Sequence, residues 1–190
     1  MITRLLAPAV AAVFLTTLAT PTPAPAQTAA QHLALASDSN FLQTVGSLGL
    51  LQVKLGKLAQ QKGSSDVVRD FGKRMATEYS QTNEQLAAGA KQAAYPKPVL
   101  LRQHQQIFDR FNGMAKSSFD KNYMTEMVSQ HDEVARTVER EAKAGRIALL
   151  KQLAAGMLSD VQQRQALASQ TASSVGADVT ATTSAERQGS

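Results

Sequence analysis

Apolar residues return at steps of three and four along most of the chain after Asp38, the spacing that gathers them on one side of an α-helix. Phe41, Val45, Leu48, Leu51, Leu55 and Leu58 make the first such face. It opens at the cap-forming cluster Ser37-Asp38-Ser39-Asn40 and runs to about Gln61. Gly63 is a natural stop, and Ser64-Ser65-Asp66 starts a second helix with Val68, Phe71, Met75, Tyr79, Thr82 and Leu86 on one side. Gly89 and Tyr95-Pro96-Lys97-Pro98 end that helix. A shorter one, roughly Val99 to Phe111, carries Leu101, Ile107, Phe108 and Phe111. Ser117-Ser118 then opens a third long helix with Phe119, Tyr123, Met127, His131, Val134 and Val138 on its face, broken by Gly145. The fourth spans about Ile147 to Ser169 and turns Leu150, Leu153, Met157 and Val161 inward.

At about 1.5 Å per residue the long helices measure roughly 35 to 42 Å. Brief turns join helices 1–2 and 3–4, and a longer segment joins the two pairs. The pattern predicts an all-α fold, an up-and-down four-helix bundle over residues 38–171 with a short crossover helix between helices 2 and 3. Residues 27–37 read as a flexible amino-terminal segment, and the Ser-, Thr-, Ala- and Gly-rich residues 172–190 as a disordered tail. Gly46, Gly49 and Gly56 within helix 1 each cost about 1 kcal/mol in propensity. Two readings stand: close approach of another helix, or simple tolerance. The spacing Phe71, Met75, Tyr79 in helix 2 is echoed by Tyr123, Met127, His131 in helix 3, as two hairpins related by an approximate two-fold would give.

Composition sets the address. Arg4 is the only charged residue before Asp38, and Leu5 to Ala19 is apolar but too short to cross a bilayer of about 30 Å as a helix. A Pro-rich segment follows, with Ala24 and Ala26 in an A-x-A arrangement. Residues 1–26 therefore read as a secretory signal peptide cleaved after Ala26, an uncleaved anchor being the alternative. The expected location is the periplasm or cell envelope, with no transmembrane span in the mature chain.

Of the 190 residues 43% are apolar, which excludes wholesale disorder. The absence of Cys removes disulfides, thiolate metal sites and cysteine nucleophiles. The net charge of +5 is spread among acids, from Lys54 and Lys57 to Arg136 and Arg140, as on a solvated helix surface. Nucleic-acid binding would need a concentrated basic stripe with aromatic residues in it, and none is expected. Peripheral attraction to anionic envelope surfaces is compatible with the sign of the charge.

A dinuclear carboxylate centre in a bundle needs Glu-x-x-His on two helices, because that spacing aims both side chains at one ion. Three residues before His32, His104 and His131 stand Ala29, Leu101 and Val128, so the motif is absent. His131 falls in register with Met127 and Val134 on the buried face. It reads as a hydrogen-bonded core group, with ligand or pH-switch roles as alternatives. Gln52, Tyr79 and Arg164 fall at similar height, so the four define an expected polar mid-bundle layer that fixes helix register. Glu78, Glu126, Asp132 and Glu133 flank it at angles that suggest solvent exposure. Met75, Met114, Met124, Met127 and Met157 read as packing rather than as a copper-thioether site. His32 is expected to be mobile and His104 to lie at the edge of the crossover helix. No Ser-His-Asp arrangement and no phosphate-cradling glycine loop is evident.

The runs LGKLAQQKGSS (Leu55 to Ser65), FGKRM (Phe71 to Met75) and SFDKNYM (Ser118 to Met124) resemble the exported bacterial domain of unknown function four-one-four-two, often labelled "predicted outer membrane protein" and regarded as ferritin-like. The resemblance covers about residues 38 to 170 and implies a ferritin-like bundle without a settled activity. Family members commonly carry Glu at the position of Gln52, Asp-His at Glu78-Tyr79, a second Asp-His at Gln130-His131, and His at Arg164. If those residues make an ion site, this chain keeps only His131 of it, and an arginine repels a cation. The expectation is thus an exported, non-enzymatic envelope protein with a structural, stress-related or partner-binding role toward an unidentified protein or envelope component. It needs no cofactor and no metal. The alternative is a metal-binding or redox protein using His131 and nearby carboxylates.

Overall fold

The computed structural model describes residues 29–177, with side chains from Ser37 onward. The expected signal segment 1–26, its cleavage point and residues 178–190 of the expected tail lie outside the described residues. Every regular element among the described residues is a helix: α1 (Ala29–Lys62), α2 (Asp66–Gln92), α3 (Arg102–Gly113), α4 (Lys116–Ala144) and α5 (Ala148–Ser174).

The first and last boundaries differ from those read in the sequence. The stretch Ala29 to Ala36 contains neither Gly nor Pro, so nothing stops α1 from starting upstream of the Ser37–Asn40 cluster. The segment 27–37 expected to be flexible is therefore helical from Ala29. Likewise α5 continues to Ser174, past the expected edge of the tail. It stops where Gly176 takes a φ of +62° and Ala177 N–H returns to the Ala172 carbonyl at 2.9 Å.

Helices α1 and α2 pack along their length, as do α4 and α5. Contacts of α1 with α4 and of α2 with α5 close the ring, and α3 lies on α1. The inner faces are those the periodicity marks: Phe41, Leu48, Leu55, Phe71, Met75, Tyr123, Met127, Val138 and Val161 are buried. The two echoing faces meet across the centre. Phe71 of α2 lies edge-on to Tyr123 and to His131 of α4, each at 6.1 Å between centroids.

Two carboxylates tie the hairpins together reciprocally. Asp38 of α1 does not cap its own helix; it accepts from the Arg146 and Ile147 N–H groups at 3.0 and 3.1 Å, at the start of α5. Asp120 of α4 accepts from the Ser64 and Ser65 N–H groups at 2.9 and 2.8 Å, at the start of α2. In each case the first helix of one hairpin satisfies the positive N-terminal end of the second helix of the other.

The glycines of α1 serve three different contacts. A Cβ on Gly56 would stand 2.4 Å from the Gly72 carbonyl of α2, so here close helix approach is the reason for glycine. On Gly46 it would stand 2.3 Å from Pro98 Cβ, where the crossover segment seats on α1, and on Gly49 it would meet the Asn83 side chain.

Candidate functional site: the polar layer inside the helices

Three of the four residues assigned to the mid-bundle layer meet. The Tyr79 and His131 rings stand edge to face at 5.8 Å, and the Arg164 guanidinium lies over the Tyr79 ring at 4.8 Å. Each is buried. Gln52 is buried too, but its Nε2 donates to Gln130 Oε1 at 2.9 Å, and Gln130 Nε2 donates in turn to Glu126 Oε1 at 2.8 Å. The layer thus has two arms, an aromatic-cationic one from α2, α4 and α5 and an amide one between α1 and α4.

Glu78 corrects the sequence reading. Placed at a solvent-facing angle, it is half-buried and accepts from Arg164 Nε at 2.8 Å and Arg74 Nε at 2.6 Å. Burial opposes its charge, and the hydrogen bonds from the two arginines overcome that, holding its carboxyl below the ordinary range. An Arg side chain is long enough to bring a carboxylate from the helix flank into the layer, which helical angle alone does not reveal. Gln130 was missed for a related reason: it neighbours His131 in sequence, and at the centre of the core both positions face inward.

His131 Nδ1 lies 2.7 Å from the Met127 carbonyl, which can only accept, so the proton sits on Nδ1 and Nε2 carries a lone pair. Nε2 has no hydrogen-bond partner; the same is true of Tyr79 Oη and Gln52 Oε1. Burial, with the Arg164 charge adding to it, pushes His131 down to about 4. Burial pushes Tyr79 up to about 12, partly offset by Arg164. At neutral pH the layer therefore presents a neutral imidazole, a neutral phenol, two amides and one neutralised guanidinium.

That set does not fit a resident metal ion. Its only good donor is His131 Nε2; the carboxylate drawn into the layer, Glu78, is held by two arginines, and Arg164 supplies positive charge where an ion would need negative. Among the described residues no group of three or more His, Asp or Glu is gathered in ion-holding geometry. Of the methionines, Met75, Met124, Met127 and Met157 are buried in the apolar core and Met114 packs against it.

Two further polar clusters escaped the sequence reading. His104, expected at the edge of the crossover helix, is buried: its Nδ1 is 2.6 Å from Ser47 Oγ, which also accepts the Leu101 N–H at 2.8 Å. Gln103 Nε2 can only donate, and it faces His104 Nε2 at 3.4 Å, so the ring proton sits on Nδ1 and donates to Ser47 Oγ; the pair fastens the start of α3 to α1. This is not a nucleophile with its base, because the hydroxyl is enclosed and the imidazole nitrogen beside it carries a proton instead of a lone pair. Lys62 completes the attachment, reaching the Phe111, Asn112 and Met114 carbonyls at the other end of α3. Glu141 is the second case. It is 1% exposed, neither carboxyl oxygen has a hydrogen-bond partner, and burial, then Asp38, pushes it up to about 7.

A family model described as "Domain of unknown function (DUF4142)" matches residues 22–171. No curated protein and no solved structure matches the chain.

Proposed function

The chain belongs to the DUF4142 family of unknown function, and from that premise we propose that it is an exported, non-enzymatic envelope protein. Its fold would be a ferritin-like up-and-down four-helix bundle with α3 as the crossover, and its role structural, stress-related or partner-binding. The two hairpins, with Asp38 and Asp120 capping each other's second helix, support that architecture. The observation that carries the functional reading is the Arg164–Glu78 pair set over Tyr79. It fills the centre of the layer with a neutralised ion pair, and the groups around it do not exchange protons near neutral pH. Such a layer suits fixing helix register and not turning over a substrate.

The unpartnered lone pair of His131 Nε2 favours one competing reading, a metal-binding or redox protein built on that imidazole with nearby carboxylates. Elemental analysis of protein purified from its native compartment separates the two. Sub-stoichiometric metal, unchanged by His131→Ala, is the expected result. Stoichiometric iron, copper, zinc or manganese that His131→Ala abolishes would overturn the non-enzymatic reading. For export, mass spectrometry of the periplasmic fraction is expected to find a chain beginning at Gln27; an intact Met1 terminus in the cytosol would refute it.

A further inference from the structure

The outer surface of the α1–α2 pair carries a trough whose lining is apolar on the floor and only cationic at the rim. One lobe, about 730 Å³, lies between the end of α2 and the link that follows it, against Ala87, Ala88 and Tyr95, with Lys91 and Lys97 beside it. The second, about 350 Å³, has Leu50, Val53 and Leu100 as its floor and Lys54 at its edge. A small cavity of about 20 Å³ beside Pro98 lies between them, sharing Ala87 and Lys97 with the first and Leu50 and Asn83 with the second.

No carboxylate lines any part of this trough. Lys54 is already engaged, bonded to Gln105 at 2.7 Å and lying over the Phe108 ring. Lys91 and Lys97 enter none of the ion pairs among the described residues. Asn83 adds a neutral donor. Its carbonyl oxygen is buried without a partner, turned to Gly49, where a Cβ would stand 2.2 Å away, so its NH₂ end is the one left toward the trough.

From Ser80 to Lys91 the wall of α2 measures about 16 Å at the helical rise, the length of an extended chain of about a dozen carbons. We propose that this trough binds a free fatty acid, the acyl chain on the Leu50–Val53–Leu100 floor and the carboxylate between Lys91 and Lys97. Charge complementarity selects an anion, the floor selects an apolar chain, and the width of one inter-helix groove selects a single chain. A bilayer surface would call for a broad exposed apolar patch, whereas among the described side chains the large exposed apolar residues are two, Val67 in α2 and Val99 in the link before α3.

The inference extends the partner-binding role proposed above by naming a ligand class, and the two fail separately, since the metal content reports on the interior and not on this surface. Calorimetric titration of the full chain with laurate below its micellar concentration is expected to show saturable one-to-one binding. The Lys91→Ala/Lys97→Ala double variant and Ala88→Trp, which fills the wide lobe at an exposed position, should each bind at least about tenfold more weakly, as should lauryl alcohol with the parent chain. Unchanged circular dichroism and melting temperature in both variants would place the loss at the trough. Equal affinity for acid and alcohol, binding unaffected by the substitutions, or no binding at all would overturn the proposal. So would binding to phosphatidylglycerol vesicles without binding of free laurate.

Discussion

Arg164 of α5 lies over the ring of Tyr79 of α2, with 4.8 Å from its guanidinium carbon to the ring centroid, while its Nε donates to Glu78 one residue earlier in the same helix. The arginine thus joins α5 to two consecutive side chains of α2, one through its face and one through its edge. Removing it by Arg164→Ala strips Glu78 of its inner partner and Tyr79 of its cover. A loss of about 1–3 kcal/mol is expected in urea unfolding, below the cost of breaking a fully buried pair because Glu78 keeps Arg74 and some water. An unchanged midpoint would mean that the pair contributes nothing net.

The pH dependence follows from two buried groups that oppose each other. Glu141 is held at about 7, above its ordinary 4.5, so the stability it contributes is full below about pH 4.5 and is lost as pH rises through about 7. His131 is held at about 4, below its ordinary 6.5, so its contribution is full above about 6.5 and is lost as pH falls through about 4. Their slopes cancel between, leaving a plateau from about pH 4.5 to 6.5. Glu141→Gln should raise the melting temperature by about 2–4 °C near pH 8, for each kcal/mol recovered, and leave it unchanged near pH 4, where the carboxyl is protonated in both states. His131→Leu should flatten the acid limb instead.

The Ser47–His104 pair predicts local behaviour. Burial holds His104 below its usual range, and acid puts its second proton on Nε2, where Gln103 donates, so the contact turns repulsive and a charge is buried against α1. Hydrogen exchange of α3 amides should accelerate as pH falls below the ordinary histidine range, after correction for intrinsic rates. Ser47→Ala should produce the same acceleration at neutral pH. If α3 exchanges no faster in that variant, Lys62 and the Lys54–Phe108 contact hold the helix without the pair.

Glycines separate by what their missing Cβ would meet. Gly56→Ala forces α1 and α2 apart at the Gly72 carbonyl and should destabilise by about 1–3 kcal/mol despite its better propensity. Gly156, inside α5, has nothing within 4 Å of a built Cβ, so Gly156→Ala should stabilise by about 0.5–1 kcal/mol. Thermal melts of the two variants should move in opposite directions.

Ala94 closes α2 at a φ of +58°, where a side chain is strained, and Tyr95 N–H returns to the Ala90 carbonyl at 2.8 Å. Ala94→Gly removes that strain and should stabilise by about 1 kcal/mol. A lower melting temperature for this variant would show that the link is not held in the left-handed conformation in solution.

The inner faces of the four long helices, the stops at Gly63 and Gly145 and the place of His131 among the buried rings were all legible in the sequence, because three-and-four spacing and glycine punctuation are local properties of the chain. Long-range partners were not. Asp38 looks like the cap of the helix it lies in and instead caps α5; Glu78 looks solvent-facing and is drawn inward by an arginine from another helix; Gln52 bonds Gln130 rather than joining the ring of the other three. Which glycine admits a helix, which a proline and which a side chain was likewise decided only by the fold. Periodicity fixes which side of a helix turns inward, but the partner of a buried polar atom depends on the height and rotation of a neighbour far away in sequence, and those are set when the apolar faces pack.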